Sequence, residues 1–252
     1  MPASYAHYRF GKLLLPKLPA DVRQCVQRFR RMYDMGLQGP DFFFYYNPFL
    51  TTATGKLGSF FHRQTGQEFF PVACKAATSD AAKAYLYGLL GHYCLDSTCH
   101  PFINRLVEIE EARHVPLESE FERFLLTLDG EKTPETFDMS RFLKLTRGEC
   151  MSVAAFYPGS TGGKVSQGVR LMALFTKILA HPGQARLLKK VSPGLWEHCI
   201  PADENNNLAP YIRELQDLYG QALERYPQML TQLTAHLETG AEFGEDFSKD
   251  FG

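Results

Sequence analysis

The stretch Tyr87-Gly-Leu-Leu-Gly-His92-Tyr-Cys-Leu-Asp96-Ser-Thr-Cys-His100-Pro101 sets two imidazoles and a carboxylate at intervals of four residues. On a helix with 3.6 residues per turn, positions i, i+4 and i+8 share a narrow stripe, so His92, Asp96 and His100 point the same way. Such groups at helical spacing usually mark a solvated face. Here they sit among Tyr85, Leu86, Leu89, Leu90 and Leu95, a setting that buries them. Polar groups buried without partners cost several kcal/mol, so position and context favour a role as ligands.

Working outward, His114-Val-Pro-Leu-Glu118 repeats the four-residue spacing and faces the first stripe if the intervening residues form a turn. Five of the eight histidines fall within the first 114 residues, near carboxylates. Neutral imidazole nitrogen and carboxylate oxygen are donors that Zn²⁺ accepts at roughly 2.0–2.2 Å, so several of them converging would make a metal site.

The rest of the pattern is helical. Apolar positions recur three and four apart, and alternating strand patterns are scarce. Expected helices cover 21–35, 81–99 (opened by Ser79-Asp80 and limited by Pro101), 104–128 with an interruption near Pro116, 140–156, 165–179, 209–225 and 227–238. Gly39-Pro40, Asp129-Gly130, Pro158-Gly159 and Pro182-Gly183 punctuate them. One domain over residues 1–252 is the simplest count for this length, with residues 240–252 expected to be a loosely held tail.

Composition excludes several classes. With 27 basic against 28 acidic side chains, there is no basic field to attract nucleic acid or anionic membrane by charge alone. No stretch approaches the roughly 20 apolar residues of a membrane span, and the N-terminus lacks a secretory signal pattern, so a cytoplasmic protein with reduced cysteines is expected. The segment Gly159-Ser-Thr-Gly-Gly-Lys164 falls short of a phosphate loop, because its glycines are too close and Val165 stands where Ser or Thr is needed. Phe42, Phe43, Phe44, Tyr45 and Tyr46 follow Asp41, and Phe60, Phe61, Phe69 and Phe70 flank His62. Most are expected in the core, with Phe42, Phe61 and Arg63 the exceptions that would face a pocket. Cys94 and Cys99 are expected as small buried residues. His181, His198 and His236 are read as packed or surface histidines, and the second half of the chain offers no site.

Taken in order, His7 in Ala-His-Tyr-Arg-Phe-Gly, Gly-Leu-Gln-Gly-Pro-Asp41, His62, the 92/96/100 ladder and His114-x-x-x-Glu118 resemble the zinc-dependent phospholipase C family, which shares its all-helical fold with the fungal zinc nucleases. The likeness covers roughly the first half of the chain; its motifs are specific together and weak singly. It implies an all-α, single-domain multi-helix bundle holding up to three zinc ions. One would lie between Asp41, His62, His92 and Asp96, and a second between His100, His114 and Glu118. A third would be held by His7, by Asp96 as a bridge, and by the N-terminal residue. The secreted relatives expose a tryptophan there; here, removal of Met1 would leave Pro2, five residues before His7, as the amine ligand. The gap from Asp96 to His100 is also shorter than in those phospholipases.

The resemblance further implies hydrolysis of a phosphodiester by metal-activated water. Asp96 would bridge ions, and Asp41 would ligate or orient the water. The expected partner is a phosphodiester-containing small molecule or phospholipid headgroup, with transient contact at a membrane surface. Alternative readings are a single-strand nuclease or nucleotidase with the same metals, and a zinc-stabilised binding protein without turnover.

Overall fold

Ser79 opens the helix that carries the ladder: its hydroxyl accepts a hydrogen bond from the Ala82 amide, satisfying one of the amides that a helix start leaves unpaired. The computed structural model describes residues 4–46, 52–181, 183–184, 187, 190 and 196–252. The helices that build the argument are α1 (Ser4–Leu14), α2 (Ala20–Arg28), α3 (Arg30–Gly36), α4 (Gly55–His62) and α5 (Gly66–Ala76). They are followed by α6 (Asp80–Glu108), α7 (His114–Leu128), α8 (Arg147–Ala154), α9 (Gly162–Leu179) and α10 (Ala209–Thr239). The protein is a single all-α, multi-helix domain, and no strand forms among the described residues. None of the helices among those residues is long and apolar enough to cross a membrane.

The 29 residues of α6 are apolar nearly all round, and the helix is accordingly enclosed. It packs against α1, α2, α3, α5, α7, α8 and α10. The closest approach is to α3, where Gly36 and Gly88 face each other. A Cβ on Gly36 would overlap the Tyr85 carbonyl, and one on Gly88 would overlap the Tyr33 carbonyl. Both obstacles are backbone and cannot swing aside. Gly88→Ala is therefore expected to lower stability by about 3 kcal/mol, the upper end for overpacking, read as a lower urea midpoint at unchanged slope. An unchanged midpoint would mean that the two helices are not in contact there.

Several sequence expectations are corrected. Pro101 lies inside α6, which continues to Glu108. A proline in a helix interior costs about 3 kcal/mol, but Ile103 and Leu106 are buried beyond that point and hold the helix to its path. Pro227 likewise sits inside α10, whose Tyr219, Tyr226 and Leu230 stay on one buried face. The Tyr226 hydroxyl donates to the Tyr87 carbonyl at 2.9 Å, tying that face to α6. The span 21–35 divides at Phe29 (φ −115°, ψ 42°), so that α2 buries Val22 and Val26 while α3 turns Met32–Gly36 inward. Residues 109–113 separate α6 from α7 with Glu110 at φ 58°; Pro116 falls in the first turn of α7, where no amide is needed. In place of one helix over 140–156, a 3₁₀ turn (Met139–Phe142) precedes α8. Residues 240–252 are not loose: Phe243, Phe247 and Phe251 join the core. Cys94 and Cys99 are buried, as expected, and all six cysteines are free.

Candidate metal centre

Four parts of the chain deliver polar side chains to one buried place. Helix α1 brings His7; the 3₁₀ turn Asp41–Tyr46 begins with Asp41; α4 ends on His62; and α6 carries His92, Asp96 and His100. His114 and Glu118 stand in the first turns of α7, alongside His100. Except for His114, whose side chain is 32% exposed, these residues are almost wholly inaccessible.

Asp96 is at the middle. Its Oδ1 lies 3.2 Å from His7 Nε2 and its Oδ2 lies 3.1 Å from His92 Nε2. His62 Nε2 is 3.0 Å from Asp41 Oδ1 and 4.0 Å from Asp96 Oδ2. Glu118 Oε1 lies 3.1 Å from His114 Nε2 and 3.4 Å from His100 Nε2. Three groups have donor atoms close enough to share one ion: His7, Asp41 and His92; His62, His92 and Asp96; and His100, His114 and Glu118. The last is the trio expected from the sequence. The other two bring together Asp41, His62, His92, Asp96 and His7 as one continuous cluster. Pro2, the remaining expected ligand, lies outside the described residues.

The fit to metal rests on unsatisfied atoms. Asp41 Oδ1, His62 Nε2, His92 Nε2, Asp96 Oδ2, His114 Nε2 and Glu118 Oε2 are all buried without a hydrogen-bond partner. Native interiors leave few such atoms, and each needs a reason. All six are carboxylate oxygens or imidazole nitrogens aimed at the same region, the donor set that Zn²⁺ takes. A cavity of about 30 Å³ lined by His7, Asp96, His100 and Glu118 sits among them, enough for one water-sized occupant.

The outer nitrogens are held from behind. His62 Nδ1 pairs with the Gly58 carbonyl at 2.8 Å, His92 Nδ1 with Leu37 O at 3.2 Å, and His100 Nδ1 with Phe251 O at 2.9 Å. A carbonyl can only accept, so each Nδ1 carries a proton, and each Nε2, once free of its own proton, can present a lone pair to the centre, the tautomer that metal ligation needs. Gly39 makes room for this. It turns the chain at φ 50°, and a Cβ there would overlap the His92 ring.

Electrostatics follow from the same geometry. Burial alone would raise Asp96, but His92, His100 and His7 hold its carboxyl well below the ordinary range. Asp41 is similarly lowered against burial by His92 and His62. Glu118 is lowered by His100 and His114 although burial opposes it. Burial depresses His92 despite Asp96. His100 moves the other way: Asp96 and Glu118 outweigh burial and push it up to about 9. In a metal-stripped chain this raised value stabilises the fold fully below the ordinary 6.5, and that contribution is lost as pH rises through about 9. A metal must displace the same proton. Affinity at the His100–His114–Glu118 site is therefore expected to rise about tenfold per pH unit between roughly pH 7 and 9, then level off. Competition titration against a chromogenic chelator measures this, and a flat profile would remove His100 from the ligand set.

Some features escaped the sequence reading. Glu122, one turn beyond Glu118, accepts hydrogen bonds from the Tyr5 and Ala6 amides at the start of α1 and is pushed up to about 8 by burial. The continued spacing 114/118/122 was the available signal. His198 lies near Glu118 and His114, with burial lowering it to about 4, and it lines a recess with Ser4, Tyr45 and Glu122. His181 is exposed and His236 is half-buried, its ring stacked on that of Phe243 at 4.5 Å, so both are surface or packed histidines as expected. Phe42 and Phe61 are core residues, wholly enclosed, and do not face a pocket. Arg63 is exposed. The ring contacting both His62 and His92 is instead Phe251, so the second half of the chain does contribute to the site. Comparison with protein-family profiles, curated proteins and solved structures returns no match for this chain.

Proposed function

We propose that this protein is a zinc-dependent phosphodiester hydrolase of the phospholipase C type. The observation that carries this reading is the convergence, from four separate segments, of six buried ligand atoms that make no hydrogen bond. His7, Asp41, His62, His92, Asp96, His100, His114 and Glu118 would hold the ions. Bound zinc would polarise phosphoryl oxygens, neutralise charge developing on them and lower the pKa of water toward 7.

The protein's own groups have separate tasks. Asp96 has one oxygen toward His7 and the other toward His92, so it can bridge two ions. Asp41 is kept ionised by His92 and His62. A carboxylate so held is a weak base and a good acceptor, suited to orienting a water rather than removing its proton unaided. Substrate would approach through a cleft of about 510 Å³ bordered by Ser119, Glu120 and Trp196, within the usual size of a small-molecule site. This cleft shares Glu135, Leu179 and Ile200 with the recess of Ser4, Tyr45, Glu122 and His198, and His198 feels the charge of Glu118.

Elemental analysis together with turnover of a chromogenic phosphodiester tests the reading. Two to three zinc ions per chain and hydrolysis abolished by chelation are expected. A folded protein with no transition metal would overturn it. Metal without turnover of any phosphodiester would leave a zinc-stabilised binding protein, and preference for denatured DNA or RNA would select the nuclease reading.

A further inference from the structure

Beyond the C-cap of α10 at Gly240, the chain turns back over α5 and α6 and is fastened at several points. Gln67 Nε2 donates to the carbonyls of Phe243 and Gly244 at 3.2 and 3.1 Å. Gln232 Nε2 donates to Asp246 Oδ2 at 2.8 Å. The Lys249 carbonyl accepts from the Tyr93 hydroxyl at 2.8 Å and from the Gly66 amide at 3.0 Å. Phe243, Phe247 and Phe251, four residues apart, are 8%, 0% and 0% exposed. This fastening delivers Phe251 to the metal centre. Its amide donates to the His62 carbonyl at 3.0 Å, its carbonyl accepts from His100 Nδ1 at 2.9 Å, and its ring lies 5.9 Å from those of both His62 and His92.

We propose that Phe251 is a positioning residue of the metal centre, its main chain orienting His100 and His62, so that docking of residues 243–252 and occupancy of the His100–His114–Glu118 site are linked. The inference rests on the reading that those side chains hold divalent ions. Its physical core is the proton on His100. With the Phe251 carbonyl in place, that proton is on Nδ1 and Nε2 faces Glu118. Without it, Nδ1 is left facing Asp96 Oδ1, 3.6 Å away. Turning to that oxygen would swing Nε2 from its partners and occupy a lone pair of the central carboxylate. Such outer partners of metal-bound histidine typically carry 10- to 100-fold in affinity. Linkage is reciprocal, so an ion bound at this site must also hold the segment down.

The test titrates zinc into the stripped full chain, into Phe251→Ala, and into a chain lacking Phe251 and Gly252, in competition with a chromogenic chelator. The deletion is expected to weaken one site by about 10- to 100-fold. Phe251→Ala keeps the carbonyl and amide and is expected to lose far less. Equal losses would assign the effect to ring packing alone and overturn the proposal. Full retention by the deleted chain, where the intact chain binds zinc, would overturn it and leave the proposed function standing; an intact chain that binds no zinc would end both. Should the deleted chain fail to fold, amide exchange at Phe251 in the intact protein decides: zinc is expected to slow it at least about tenfold through linkage, and an unchanged rate would overturn the proposal.

Discussion

Removing divalent ions with a chelator is expected to lower the unfolding free energy by about 4 kcal/mol for each site that had been held at a free zinc concentration a thousand times its dissociation constant. The effect is large because the stripped centre keeps Asp41, Asp96 and Glu118 almost wholly buried, with Asp41 Oδ1, Asp96 Oδ2 and Glu118 Oε2 lacking hydrogen bonds. Its imidazoles can compensate only by taking up protons, as His100 does. Urea unfolding followed with chelator and then with zinc restored measures the difference. Coincident curves would mean that these atoms tolerate burial unaided, and the metal reading would fail.

The second large effect is expected from Asp96→Asn. The substitution conserves shape but replaces one carboxylate oxygen with an amide that cannot ligate. Depending on how the amide lies, it confronts His7 Nε2 or His92 Nε2, each about 3 Å from an Asp96 oxygen. It also removes the negative charge at the meeting point of His7, His62, His92 and His100. Metal content is expected to fall by at least one ion per chain while the His100–His114–Glu118 site is weakened less. Loss of about 4 kcal/mol of charge stabilisation corresponds to roughly a thousandfold in hydrolysis rate. Metal analysis and turnover on the same preparation, with circular dichroism to establish that the helices remain, distinguish loss of the centre from loss of the fold. A variant with wild-type metal content would show that Asp96 is not a bridge.

The places where local rules and structure part company share one cause. Pro101 and Pro227 are helix breakers by chemistry, and both lie inside helices. The burial of Leu106 beyond Pro101 and of Leu230 and Leu233 beyond Pro227 outweighs a local penalty of about 3 kcal/mol. The polar, glycine-containing segment after Gly240 reads as a solvated terminus, yet its phenylalanines at 243, 247 and 251 repeat every four residues and find a groove formed by α5, α6 and α10. Neither the groove nor the breaker's tolerance is visible within a window of neighbouring residues.

The sequence by itself determined the all-helical class, the stripe of His92, Asp96 and His100, and the pairing of His114 with Glu118, because side chains four apart on a helix share a face whatever surrounds them. Which donors meet was decided only by the tertiary structure. Gly36 against Gly88 brings α3, and with it the turn carrying Asp41, onto α6; α1 and α4 add His7 and His62; and Phe251 arrives from more than 150 residues beyond His92 to hold two of the histidines. Periodicity encodes direction around one helix, whereas convergence depends on how several helices pack, and packing is a property of the whole chain.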